Sequence, residues 1–307
     1  MFNAYIRHVW PWHRLLVTGL AKRCKTCLLS EKATTLYDEA GICAECMKPP
    51  ESPKYTPRKY GLFPLDGCAL LMSGGKDSCY LLSKLGMDVK LAIFVDNGFT
   101  APQAMQNARD VCKRFEVDLL VINSHVQHLR HKMRKAFLQA KETNGTAYDV
   151  VDFTDGKEVF EVGRRMAYSL GLKVVACGLS REQLAHYDGL AIHRDNLGAL
   201  VSPLAEWNPT DDAILDELGQ HGFPRKRFDP SVTNHKLIPV MCAVDVLRHG
   251  YCSFEKEFAN RIRKGECERL KWLHTFEFLE YAVKRGLLTR IANHELSKLG
   301  LTLKDVV

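Results

Sequence analysis

Apolar positions along the chain keep two rhythms. Short apolar runs without alternation fall at residues 68–72, 91–96, 119–122 and 173–177, the pattern of strands buried on both faces of a parallel sheet. Between them, apolar residues recur at helical spacing over 77–85, from Thr100 towards Phe115, over 125–141 and near 158–170. Thr100-Ala101-Pro102-Gln103 reads as a capping box with an early proline, and Asn144-Gly145 as a loop. Strand and helix thus alternate, which predicts an α/β fold with a doubly wound parallel sheet and ligands outside the carboxyl ends of its strands. The loops at 73–78, at Asp96-Asn97-Gly98 and at Gly178-Leu179-Ser180-Arg181 then lie on one rim and form one site.

The flanking regions read differently. Residues 1–50 carry two cysteine pairs, and 51–64, rich in proline with Lys and Arg between, read as a linker to a core at 65–210. From 211 to 307 the chain is mainly helical: a helix at 211–219, then Pro224-Arg225-Lys226-Arg227 and Asp229-Pro230, then helix from Ser253 onward. Trp272, Phe276, Leu279 and Val283 recur there at helical intervals and read as core or interface. Near the N-terminus, Trp10, Trp12, Leu15, Leu16 and Leu20 form an apolar face. Docking on the protein body is the preferred reading, ahead of a partner or a membrane surface.

The first chemistry lies between the first run and the first helix, at Ser73-Gly74-Gly75-Lys76-Asp77-Ser78. Consecutive glycines admit positive φ and close approach, so backbone N–H groups can converge where a helix N-terminus adds partial positive charge. That is an anion cradle, and Lys76 adds a full charge. It is not a Walker A loop, which requires Ser or Thr after the lysine where this chain has Asp77. Further candidates on the rim are Thr154-Asp155-Gly156-Lys157, as acceptor contacts or an ordinary helix-start turn, and Arg225, Lys226, Arg227 and His235, which could close over an acceptor. His125, His128 and His131 with Arg130, Lys132, Arg134 and Lys135 make a basic helix stripe, better suited to solvent or phosphate than to a metal.

Composition narrows the class. The 307 residues are 46% apolar and 26% charged, which excludes a disordered or membrane-spanning chain, and the net charge of +7 suits a polyanionic ligand while leaving RNA open. Eleven cysteines are an odd number, mostly scattered singly, and indicate a reducing cytoplasm instead of a disulfide scaffold. Four are not scattered: Cys24-x-x-Cys27, fifteen residues, then Cys43-x-x-Cys46. Two such knuckles can bring four thiolates around one structural Zn²⁺; a four-Cys iron–sulfur cluster is the less favoured alternative. Cys79 and Cys177 flank the rim, but their apolar settings favour buried, inert thiols over catalytic ones.

The loop Ser73 to Ser78 matches the SGGxDS signature of the PP-loop ATP pyrophosphatase (adenine nucleotide α-hydrolase-like) superfamily. With Cys24, Cys27, Asp38-Glu39-Ala40-Gly41, Cys43 and Cys46 before it and Val95-Asp96-Asn97-Gly98-Phe99 after it, the chain resembles the N-acetyl sugar amidotransferase group over roughly residues 22–210. The resemblance implies a HUP-like core. It also implies ATP and Mg²⁺ held by Ser73, Gly74, Gly75, Lys76, Asp77, Ser78, Asp96, Gly178 and Arg181, with Lys76, Asp77 and Ser78 closest to the chemistry. An acceptor oxygen, on a sugar or other small molecule such as a nucleotide sugar, would be adenylated with release of pyrophosphate, and nitrogen from a separate glutaminase subunit would displace AMP. A sulfurtransferase, fed by a sulfur donor and acting on tRNA or a small molecule, and a non-catalytic nucleotide-binding regulator are the alternatives.

Overall fold

The computed structural model describes residues 2–34, 40–49, 55–56, 65–185, 189–228 and 235–307. The expected linker at 51–64, apart from Tyr55 and Thr56, and the residues Asp38, Glu39, Asp229 and Pro230 lie outside the described residues.

In chain order the elements are α1 (Phe2–His8), α2 (Trp10–His13), β1 (Cys68–Leu71), α3 (Lys76–Leu85), β2 (Val89–Val95), α4 (Pro102–Arg114), β3 (Leu119–Ile122) and α5 (Val126–Glu142). After a π-helical turn at Tyr148–Asp152 come α6 (Phe153–Ser169), β4 (Val174–Ala176), α7 (Arg181–Ala185), β5 (Ile192–Asp195), β6 (Gly198–Val201), α8 (Pro203–Trp207) and α9 (Asp211–Gln220). The remaining helices are α10 (Ile238–His249), α11 (Phe254–Arg263), α12 (Arg269–Lys284), α13 (Thr289–Ser297) and α14 (Leu303–Val306). These group into two compact units, residues 52–130 with 155–235, and residues 1–51 with 131–154 and 236–307.

The first of these units carries the sheet, with strand order β3-β2-β1-β4-β6-β5. All neighbours run parallel except β5, which pairs antiparallel with β6. This is the α/β doubly wound arrangement expected from the apolar runs. Strand β1 is buried throughout, as a central strand covered on both faces must be. On one face Leu70, Leu81, Leu82, Phe94, Val111, Ile214, Leu218 and Phe223 form one apolar core. On the other, α6 comes so close that a Cβ at Gly163 would lie 2.5 Å from Leu71 Cδ2.

Three details differ from expectation. The β5–β6 hairpin is additional; its turn is closed by Leu197 N–H donating to the Asp195 carboxylate (2.9 Å), and Gly198 at φ +96° lets Ala199 N–H reach Lys173 O (2.8 Å). No capping box opens α4: its N-cap is Ala101, and the Thr100 hydroxyl donates instead to Asp96 Oδ1 (3.2 Å). The helix expected near 158 begins at Phe153, so Thr154, Asp155, Gly156 and Lys157 are helical and not a helix-start turn.

The regular elements of the other unit are all helices among its described residues. The cysteine knuckles pack on α11 and α12, with Cys24, Cys27, Leu28, Leu29 and Cys43 against Phe258, Trp272, Leu273 and Phe276. Buried Arg23 bridges Glu255 (2.7 Å) and Glu280 (3.2 Å), which supplies the pairing that burial of charge requires. Helix starts again at Ile238, earlier than Ser253, in a run whose side chains from Val240 to Val246 are all buried. Of the N-terminal apolar face only Trp10 is fully buried, against Phe278 and Tyr281, with Leu20 beside them. Trp12, Leu15 and Leu16 are 74%, 69% and 84% exposed, a correction to the docking of the whole face on the protein body.

Candidate functional site

Strand β1 delivers the chain into the 73–78 loop, which closes on itself through its two serines. Ser73 N–H donates to Ser78 Oγ (3.2 Å), Gly75 N–H to Ser73 Oγ (3.3 Å) and the Ser78 hydroxyl to Gly75 O (3.2 Å). Gly74 stands at φ +71°, and a Cβ there would lie 1.8 Å from Ala104 O, so no other residue fits. Asn107 of α4, which sequence reading missed, holds the Gly74 carbonyl (3.2 Å). Gly75 is the N-cap of α3 and no side chain caps the helix, which leaves the N–H groups of its first turn available to an anion.

Lys76 Nζ lies 2.6 Å from Asp77 Oδ1 and 3.0 Å from Asp211 Oδ1. Burial works against its charge, but the two carboxylates more than offset this and hold its pKa above the usual lysine value. Asp211, at the start of α9, was not foreseen as a partner; it lies more than a hundred residues along the chain, where no local pattern marks it. The loop after β4 meets this one directly: a Cβ at Gly178 would lie 3.1 Å from Ser78 N and 3.3 Å from Asp77 Cβ. Ser73, Gly74, Gly75, Lys76, Asp77, Ser78 and Gly178 are therefore together.

Asp96 and Arg181 are engaged elsewhere. The Asp96 carboxylate accepts from Gly98 N–H (2.8 Å) and the Thr100 hydroxyl, which shapes the turn after β2. Arg181 donates to Ala205 O (2.7 Å) and lies over the Tyr55 ring. That same turn after β2 places Asn97 in a polar cluster. Phe99 N–H fixes Asn97 Oδ1 (2.9 Å), so its amide nitrogen faces Asp155 (2.9 and 3.0 Å) and His235 Nε2 (2.6 Å), with His235 3.2 Å from Asp155. Arg130 lies over the Phe99 ring beside them. Arg225 is paired with Asp212 and Asp216, Arg227 with Asp110, and Lys157 and Lys226 are exposed. Within the basic stripe His128 meets Glu158 (3.4 Å), and Arg134 donates to Leu299 O (2.9 Å).

Neither rim thiol is activated. Cys79 is fully buried, and burial pushes its thiol well above the ordinary value. Cys177 is likewise buried and raised, its Sγ 3.2 Å from Ser202 Oγ.

The four knuckle cysteines converge, all four Sγ lying within 4.8 Å of one another. Cys24–Cys46 and Cys27–Cys43 are each 3.7 Å apart. A single ion with metal–sulfur bonds of about 2.3 Å needs tetrahedral edges of about 3.8 Å. The donor set therefore fits one mononuclear ion, whereas an iron–sulfur cluster divides its four cysteines among two or four irons, which sets some of the sulfurs farther apart. Burial opposes the Cys24 thiolate, yet N–H groups of Cys27, Cys43 and Thr26 bring it down to about 7, while burial pushes Cys46 up to about 12. A divalent cation would supply the charge that lets all four ionise.

No family model matches the chain. An uncharacterised protein of Methanocaldococcus jannaschii, MJ1599, is 32% identical over 117 residues, covering 33% of this chain and 42% of that protein. The chain thus spans less than half of the curated relative it matches. Among solved structures, an NMN synthetase from Francisella tularensis is 15% identical with a TM-score of 0.41, covering 75% of this chain and 87% of that one. An NH3-dependent NAD synthetase from Campylobacter jejuni is 15% identical with a TM-score of 0.39, covering 71% and 87%. Likeness at this level carries no activity over to this chain.

Proposed function

We propose that the chain is an ATP-dependent enzyme of the PP-loop type that adenylates an acceptor oxygen and then transfers nitrogen to the carbon that bears it. The observation that carries this reading is the self-closed loop at 73–78. It sits at the carboxyl end of β1 with an uncapped helix start behind it, Lys76 at its mouth and Gly178 against it. That geometry suits the β- and γ-phosphates of ATP. Lys76 would neutralise phosphate charge, and Asp77, 2.6 Å from it, could help to hold a Mg²⁺ that would supply the rest.

The acceptor oxygen forms a bond to the α-phosphorus as pyrophosphate leaves with the bonding electrons. A nitrogen nucleophile then forms its bond to the acceptor carbon, AMP departs with the C–O electron pair, and the nitrogen loses a proton. Nitrogen is favoured over sulfur because Cys79 and Cys177 are buried thiols with raised pKa values, the reverse of an activated nucleophile. The acceptor we propose is a sugar or other small molecule, with a glutaminase subunit as the ammonia source. The four cysteines would hold a structural Zn²⁺ as its four ligands.

The test is the product of ATP turnover with candidate acceptors and either ammonium or sulfide. AMP with pyrophosphate is expected, falling by about 10²–10³-fold in Lys76→Ala, with ammonium preferred and Cys79→Ser and Cys177→Ser retaining turnover. ADP with phosphate as product would refute the mechanism, and a sulfide preference abolished by either Ser variant would transfer the reading to a sulfurtransferase.

A further inference from the structure

In the unit that carries the sheet, Lys76, Arg164 and Arg227 each meet a carboxylate, on Asp77 with Asp211, on Asp195 and on Asp110. Arg130 does not. It makes no hydrogen bond or ion pair to any described residue, and its Nε is buried without an acceptor. Surface contact holds it instead. The guanidinium lies against the backbone of Gly98, where an added Cβ would fall 2.8 Å from Nη2 and 2.9 Å from Nε, and its Cζ stands 5.8 Å from the centroid of the Phe99 ring. Gly98 has φ +82°, and its missing side chain is what admits the guanidinium.

Two carboxylates belong to the same neighbourhood, and neither takes this cation. Asp96 accepts from Gly98 N–H and the Thr100 hydroxyl, while Asp155 accepts from Asn97 and lies beside His235. A partly buried guanidinium has lost water that only a partner replaces, so an unmatched one points to a ligand. Its plane is fixed by Gly98 and Phe99, and its edge suits two oxygens of one phosphate or carboxylate. The position is also right for a second substrate. Strands β1 and β2 run parallel as hydrogen-bonded neighbours, with Met72 N–H donating to Ile93 O (2.9 Å). The 73–78 loop and the turn at Asn97 to Phe99 therefore leave the sheet from strands about 4.8 Å apart.

We propose that Arg130 docks an oxyanion carried by the acceptor, so that the enzyme takes an anionic sugar or other anionic small molecule and discriminates against neutral ones. This rests on the reading above, in which the 73–78 loop takes ATP and a second small molecule is adenylated.

Calorimetric titration of the full chain decides it, with magnesium and α,β-methylene-ATP present at saturation so that the loop is occupied. The probes are glucose 6-phosphate, glucuronate and glucose. At least one anionic probe is expected to bind about tenfold or more tightly than glucose, and whichever leads identifies the oxyanion as phosphate or carboxylate. Arg130→Gln should abolish that advantage while changing affinity for the ATP analogue less than about twofold. Arg130→Lys keeps the charge without the two-pronged edge and should fall between. Lys135→Met, which removes an exposed cation from the same helix, should change nothing. Anionic probes that bind no better than glucose overturn the proposal, as does an advantage that survives Arg130→Gln or is lost equally in Lys135→Met. Weakened analogue binding in Arg130→Gln also overturns it, by assigning Arg130 to ATP. Wild type that fails to bind the analogue refutes the ATP reading and this proposal together, whereas analogue binding with no anionic preference refutes this proposal alone.

Discussion

The loop at 73–78 and the four cysteines at 24–46 are each proposed to hold a charged partner, and they differ in what keeps them arranged. The loop is held by its own hydrogen bonds and by a strand and helix rooted in an extensive apolar core, so its donors are in place before any phosphate arrives. The cysteines meet against residues of α11 and α12, and four thiolates in contact repel one another unless a cation sits between them. One site is preorganised by the fold; the other helps to make the fold. Ligand removal should therefore have opposite consequences in the two places.

The largest effect is expected from metal removal. A strong chelator should lower the unfolding free energy of the metal-loaded protein by several kcal/mol, with loss of the far-UV signal of the unit that contains the knuckles. Omitting ATP should change the thermal midpoint only by ordinary mass action. Equal midpoints with and without chelator, in protein shown to release its metal, would remove the contrast.

Next is Gly74→Ala. The added Cβ would fall 1.8 Å from Ala104 O at a residue with φ +71°, and we expect about 2–4 kcal/mol of destabilisation and loss of pyrophosphate binding by calorimetry. Gly219→Ala, within α9 where an added Cβ meets nothing, is the control and should be neutral or stabilising by up to about 1 kcal/mol.

A smaller effect sharpens the electrostatics of the loop. In the proposed phosphate site Asp211 would compete with phosphate for Lys76, so Asp211→Asn should tighten pyrophosphate binding by about two- to fivefold. Weaker binding of the magnesium complex by this variant would instead make Asp211 a metal ligand.

A last effect is spread over pH and comes from Asp245 of α10. Asp245 accepts from Ala147 N–H (2.5 Å) and Tyr148 N–H (3.3 Å), yet burial pushes its carboxyl up to about 7. A group that holds its proton more tightly when folded contributes stability that is complete below its unfolded value of 3.8 and is lost as pH rises through about 7. Urea unfolding across that window should show stability falling by up to about 1.4 kcal/mol per pH unit from this residue. Asp245→Asn should flatten the slope.

Much of this was legible in residue order. Buried parallel strands announce themselves as uninterrupted apolar runs, and the loop that follows β1 carries its own glycines, lysine and serines within six positions. The knuckles are legible for the same reason: two ligands per turn lie three residues apart. The β5–β6 hairpin was not, because IHRD has too few apolar residues to stand out and gains its place from edge pairing with β6. Nor was the cap of α4, where the Thr100 hydroxyl, instead of accepting from a backbone N–H of the helix, donates to the Asp96 carboxylate.

What the order of residues determined by itself is therefore local: strand, loop and helix at 68–85, the two cysteine pairs, and the excess of positive charge at the N-terminus. Tertiary structure decided which distant groups share a site. It brought Asp211 and Gly178 to the loop, joined Asn97, Asp155 and His235 in one cluster, and set the cysteines on Phe258 and Trp272. It also divided one apolar face, burying Trp10 and leaving Trp12 in water. The reason is physical: backbone conformation and hydrophobic period act over a few residues and are written in neighbouring positions. Long-range pairing depends on packing that no single stretch encodes.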